Sequence, residues 1–192
     1  MSFGFLSPVR KIEIAINHAH VNQVLMLAAA ANCGGNASPT WPASSSLVIC
    51  VHAATGMGNP YRTTPTRKDW ASNFATLGTA VLSWWPESLG LGLQVRKSGT
   101  STATPVLAAI AATIMAVVRQ PERVSSERDS ETLKRLGSAD GMRAVLRRMA
   151  SRNGKRDGYD YIVPWEILDA SLDRYNSLNT IVENILDDLT YL

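Results

Sequence analysis

A serine hydroxyl becomes a strong nucleophile only when its surroundings favour negative charge on its oxygen, and one stretch of this chain has residues suited to that. Gly99-Thr100-Ser101-Thr102-Ala103-Thr104-Pro105 is small and mostly polar, and it runs straight into the apolar segment Pro105 to Val118. Small neighbours leave the Ser101 hydroxyl uncovered, and Gly99 allows the backbone to approach a substrate closely. Propensity alone starts the following helix at Pro105, since proline is tolerated in the first turn. A helix that starts at Ser101 instead aims the partial positive charge of its N-terminus at the hydroxyl. A Ser/Thr capping cluster without chemistry is the competing reading of the same residues.

The other candidate groups are sparse. His18 and His20 lie two apart on the first helical stretch, so they face different directions and make a poor chelating pair. His52 falls at the end of a strand-like run. Cys33 and Cys50 show no CxxC or metal-ligand spacing and read as buried thiols of a reducing compartment. Asp69 and Glu87 are isolated, so no metal and no cofactor is expected.

The elements that must position these residues follow from periodicity. Ile12, Ala15, Ile16 and Ala19 recur at helical spacing between Pro8 and about Asn22. Val24 to Ala31 and Leu47 to Ala53 read as buried strands separated by the turn-rich "NCGGNASPTWPASSS". Strands separated by crossovers imply an α/β fold with a parallel sheet. Residues 55–98 are rich in Gly, Pro, Thr and Ser, with short strand-like pieces such as "FATLG" and "AVLSWWP". Beyond Gln120-Pro121 two short helices are expected on either side of Gly137, the second capped by Ser138 and ending near Gly154. Met142, Val145, Leu146 and Met149 form its apolar stripe. After "YDYIV" one or two further helices are expected.

Hydrophobic residues make up 45% of the 192 and charged residues 18%, enough for a real core. The longest apolar segment falls short of the roughly 20 residues a membrane span needs, and no secretory leader is read at the start. A cytoplasmic chain with no membrane and no nucleic-acid partner is the expectation. Charge is uneven: residues 1–118 carry +4, 119–156 carry +6 and 157–192 carry −7. Such opposed segments complement each other or dock on something of opposite sign.

The string around Ser101 resembles the nucleophile signature of the subtilisin-like serine proteases, in which Gly99, Thr100, Ser101, Ala103 and Pro105 match. "MSFGF" resembles the strand lining that family's substrate cleft, and "AAAANCGGNASPTWPAS" its oxyanion-hole segment, with Trp41-Pro42 where the family often has a cis bond. "LVICVHAATGMGNP" and "FATLG…WWP…KSGTS" resemble the run up to the nucleophile, so the resemblance covers roughly residues 1–118.

The resemblance implies a partial subtilisin-like parallel sheet with helices on both faces over residues 1–118, and a helical C-terminal tail over 119–192. It implies serine endopeptidase chemistry with Ser101 as nucleophile and the Asn32 side chain as oxyanion donor. Ser2, Phe3, Gly4 and Ala29, Ala30, Ala31 would pair with a polypeptide substrate. The family's Asp and His precede the cleft strand, so the chain alone is expected to be inactive until completed by an N-terminal half. A non-catalytic interaction module using the charged tail is the alternative.

Overall fold

The structure, a computed structural model, describes residues 1–68, 71–119, 127–151 and 155–164. Helix α1 (Arg10–Val21) is followed by strands β1 (Leu27–Ala29), β2 (Ile49–Ala54), β3 (Phe74–Leu77) and the pair β4 (Val81–Trp84) and β5 (Gln94–Lys97). Helices α2 (Thr100–Val118), α3 (Glu127–Leu136) and α4 (Ala139–Ser151) then lead to β6 (Lys155–Arg156) and β7 (Tyr159–Tyr161). The main sheet runs β1-β2-β3-β7-β6, parallel from β1 to β7, with β6 antiparallel at the edge.

Alternation along β2 decides which layer each side chain enters. Ile49, Val51 and Ala53 join Leu107, Ile110, Ala111 and Ile114 of α2 in the larger core cluster. On the opposite face Ile16 of α1 packs with Ala28, Trp41, Ala43 and Val48. Helices therefore cover both faces, as a parallel sheet requires. By length and composition α2 could cross a membrane; its packing against the sheet accounts for the same apolar run.

The chain beyond Val118 shares this core. Leu136 and the predicted stripe Met142, Val145, Leu146 and Met149 are fully buried in the cluster that holds Ile49 and Leu107. β7 adds to the sheet beside β3, with Phe74 opposite Asp160. Helices α3 and α4 and strand β7 thus pack and pair with the elements of residues 1–118. Ser138 caps α4 as expected, its Oγ accepting the Gly141 N–H at 3.0 Å. Gly154 and the helices expected after Val163 lie outside the described residues.

β1 is shorter than its apolar run. The chain leaves the sheet at Ala31, which sits at φ 116°, a region costly for a residue with a Cβ. Two backbone bonds tie Met1 to β1, Met1 N to Leu27 O at 2.6 Å and Ala29 N to Met1 O at 2.9 Å. Phe5 and Trp41 exchange a second pair, at 2.7 and 3.0 Å. Between these anchors Ser2, Phe3 and Gly4 are exposed. The Trp41-Pro42 bond is cis.

Candidate functional site

The site is assembled at the C-terminal ends of β1 and β3. Gly78 follows β3, and its carbonyl accepts the Gly99 N–H at 2.8 Å, so the β4–β5 hairpin is an excursion whose two ends meet. This closure sets where α2 begins. The helix starts at Thr100, more than a turn before Pro105, because tertiary bonds hold its first turn. Thr102 Oγ1 donates to Gly78 O at 3.1 Å and to Gly99 O at 2.7 Å, and Thr104 Oγ1 to Thr100 O at 2.8 Å. Pro105 has no N–H to offer the Ser101 carbonyl; that oxygen accepts from Ser2 Oγ at 3.2 Å instead.

Asn32 is fixed by its neighbour in this turn. Its Oδ1 accepts the Thr100 N–H at 2.9 Å and faces Thr100 Oγ1 at 3.3 Å. An oxygen held by an N–H settles which end of the amide is which, leaving Nδ2 as the end able to donate. Thr100 also clamps Ala31, accepting its N–H at 3.3 Å and donating to its carbonyl at 3.1 Å. Gly99, at φ 136°, meets Asn32 and not open cleft: a Cβ there would sit 2.9 Å from Oδ1 and 3.0 Å from Nδ2. The glycine is required by the asparagine.

The first amides of a helix have no intrahelical acceptor. Thr100 N–H goes to Asn32, and those of Thr102 and Ala103 to Gly99 O at 3.1 and 3.2 Å. Among the described residues the Ser101 N–H alone is left without an acceptor, beside an exposed Ser101 side chain. An asparagine donor fixed through Thr100 and a free amide at Ser101 therefore flank one small region.

The expected cleft residues behave differently from one another. Ser2, Phe3 and Gly4 are exposed, whereas Ala29 and Ala30 are buried. The N–H groups of Ala29, Ala30 and Ala31 bond to Met1 O, Val51 O and Thr100 Oγ1, so none is left for a peptide. Thr100, whose side chain joins both segments, was hidden in the sequence as one more small neighbour of Ser101. Its signal was a hydroxyl preceding the serine at a helix start.

No histidine described here approaches Ser101 by any hydrogen bond. His18 and His20 are on α1, and His52 lies inside β2, not at its end, 1% exposed. Cys33 is exposed instead of packed. Among the described residues no group of His, Cys, Asp and Glu could hold a metal ion.

Burial, and secondarily the positive charge of Lys68, hold the His52 pKa down at about 4. An unfolded histidine titrates near 6.5. As pH falls the unfolded chain therefore binds this proton first. Its contribution is fully present above pH 6.5, and falls on the order of 3 kcal/mol by pH 4. Urea melts across that window should show the slope, and His52→Gln should flatten it; an unchanged slope would mean the ring protonates without unfolding.

A profile of the Subtilase family matches residues 1–165. The subtilisin-like protease het-Q2 of Podospora anserina is 31% identical over 156 residues, covering 76% of this chain and 42% of that protein. The prenylagaramide maturation protease PagA superposes with a TM-score of 0.61 at 22% identity, covering 85% of this chain and 56% of its own. The self-cleaved protease domain of PatA gives 0.61 at 21%, covering 95% and 58%. The chain thus spans 42% to 58% of the length of these proteins. Match, order and fold agree: this chain belongs to the subtilase family.

Proposed function

We propose that the chain carries the nucleophile and oxyanion side of a serine endopeptidase site. Ser101 Oγ attacks the carbonyl carbon of a peptide bond. The Asn32 Nδ2 and the Ser101 N–H donate to the oxygen on which negative charge develops. Ser2-Phe3-Gly4 offers an exposed extended edge to the substrate backbone. The observation that carries this reading is the Thr100 N–H bond to Asn32 Oδ1, which leaves Nδ2 as the donor end of an amide tied to the residue before Ser101.

A general base must take the Ser101 proton, and the three histidines of the chain are poorly suited. Two sit on α1, and His52 is buried within the sheet and resists protonation. The base and its carboxylate partner are supplied by a complementary N-terminal half. In the subtilisins, loss of the histidine alone lowers turnover by about 10⁶. The isolated chain is accordingly inactive.

A fluorophosphonate probe tests this, with Ser101→Ala as control. The expected result is no labelling of the chain alone, and labelling of Ser101 when a subtilase N-terminal half is supplied. Labelling of the chain alone would mean that a base exists within it. No labelling of a folded mixture would sink the catalytic assignment and leave a non-catalytic interaction module.

A further inference from the structure

A second concave site lies at the other end of the sheet from Ser101. Its cavity of about 340 Å³ opens where β2 and β3 begin, lined by Val48 and Phe74 and floored by Cys50 and His52 of β2. That volume is at the lower end for small-molecule pockets. Cys50 and His52 point away from α2, since the alternating Ile49, Val51 and Ala53 occupy the α2 face.

The wall is cationic. Among the described residues Lys68, Arg143 and Arg147 line it with a single carboxylate, Asp140. Arg143 is 18% exposed and held in place, one nitrogen on Asp140 Oδ1 at 2.8 Å and the other on Ser46 O and Val48 O at 2.7 and 2.9 Å. Arg147 Nε donates to Ser72 Oγ at 2.8 Å, which orients the guanidinium along the same wall. The buried Asn73 fixes the backbone of Lys68 from both sides, accepting its N–H at 2.8 Å and donating to its carbonyl at 2.7 Å. The two guanidiniums are held by side-chain bonds and Lys68 by its backbone, with Asp140 the one carboxylate among the described lining residues.

The floor contains a polar group without a partner. His52 is 1% exposed, yet its Nδ1 has no hydrogen-bond partner. Its Nε2 lies 3.6 Å from Cys50 Sγ. Burial pushes the Cys50 thiol up to about 12, so it remains an S–H donor. The imidazole is neutral, and in the tautomer in which Nε2 accepts from that thiol Nδ1 carries the proton. In that tautomer an unpartnered N–H shares the cavity lining with three cations, which calls for an acceptor bearing negative charge.

We propose that this cavity is a binding site for a small organic phosphate, distinct from the peptidase site. Two guanidiniums and an ammonium match a dianion better than a single carboxylate. His52 Nδ1–H supplies a neutral donor at the floor, and the lining beside the organic part includes Ala43, Val48, Ala71 and Phe74. The site gives a role to part of the basic segment 119–156, which the peptidase reading does not use.

Phenyl phosphate, titrated calorimetrically into the 192-residue chain at constant ionic strength, is the probe. Benzoate is the matched carboxylate. Saturable binding of phenyl phosphate is expected, weakened about tenfold by Lys68→Gln or by Arg147→Gln, each the loss of one charge-assisted contact. In ¹⁵N spectra the ligand should shift the His52 Nδ1 resonance and leave His18 and His20 unmoved. The proposal fails if binding does not saturate in the millimolar range, if both substitutions leave it unchanged, or if His52 does not respond. Benzoate binding as tightly as phenyl phosphate would overturn the phosphate assignment.

Discussion

Asn32→Leu, tested with the complementary half present, should slow phosphonylation of Ser101 by about 10²–10³-fold. That magnitude is the one established for loss of an oxyanion asparagine in a subtilisin, not one obtained from this geometry. Asn32→Asp should be at least as slow for a different reason. The carboxylate keeps an oxygen for the Thr100 N–H, now 2.9 Å from Oδ1, so the turn stays anchored. It removes the donor, however, and places a negative charge where the oxyanion forms. The leucine variant instead leaves the Thr100 N–H without its acceptor, which costs about 1–3 kcal/mol if water does not replace it. Stability and reactivity should therefore part company: the aspartate variant melts near the parent protein and the leucine variant melts lower, while both react slowly. An aspartate variant labelled at the parent rate would remove Asn32 from the oxyanion role.

The Ser101 string is legible in sequence because its chemistry is local: a glycine, hydroxyls and a proline within seven residues. What that string is tied to is not local. Propensity places the helix start at Pro105, and the structure moves it to Thr100 through bonds to Asn32 and Gly78, which no windowed reading contains. The same limit explains the end of the domain. A change of composition after Gln120 reads as a boundary, yet β7 pairs with β3 across more than eighty residues of chain, and Leu136 and Met142 enter the α2 core. Composition reports the solvent-facing side of α3 and α4; their buried stripe reports the fold. Met142, Val145, Leu146 and Met149 were readable as that stripe, but not the surface it meets. Periodicity likewise fixed β2 and left β1 too long, since only the φ of 116° at Ala31 shows where the chain turns out of the sheet.

Gly78→Ala should lower stability by about 1–3 kcal/mol, the usual cost of overpacking, and should slow labelling of Ser101 beyond what that loss explains. A Cβ at Gly78 would stand 2.8 Å from Ala53 Cβ, 2.9 Å from Ala103 Cβ and 3.0 Å from Gly99 O. Two of those neighbours are the backbone and first turn that carry Ser101, and the third is the strand beneath. None is the far end of a flexible side chain, so the helix start has to move as a unit. The Gly78 carbonyl also accepts from Gly99 N–H and Thr102 Oγ1, so the same shift loosens both bonds. Leu107→Ala is the contrasting variant. Leu107 is fully buried in the middle of α2, and its truncation should cost about 2–5 kcal/mol through the cavity it leaves. It touches no bond of the first turn. Under conditions where both variants are folded, the leucine variant should label at close to the parent rate and the glycine variant should not. Equal labelling of the two would mean that the position of Ser101 is set by the overall stability of α2, and not by the contact between Gly78 and the helix start.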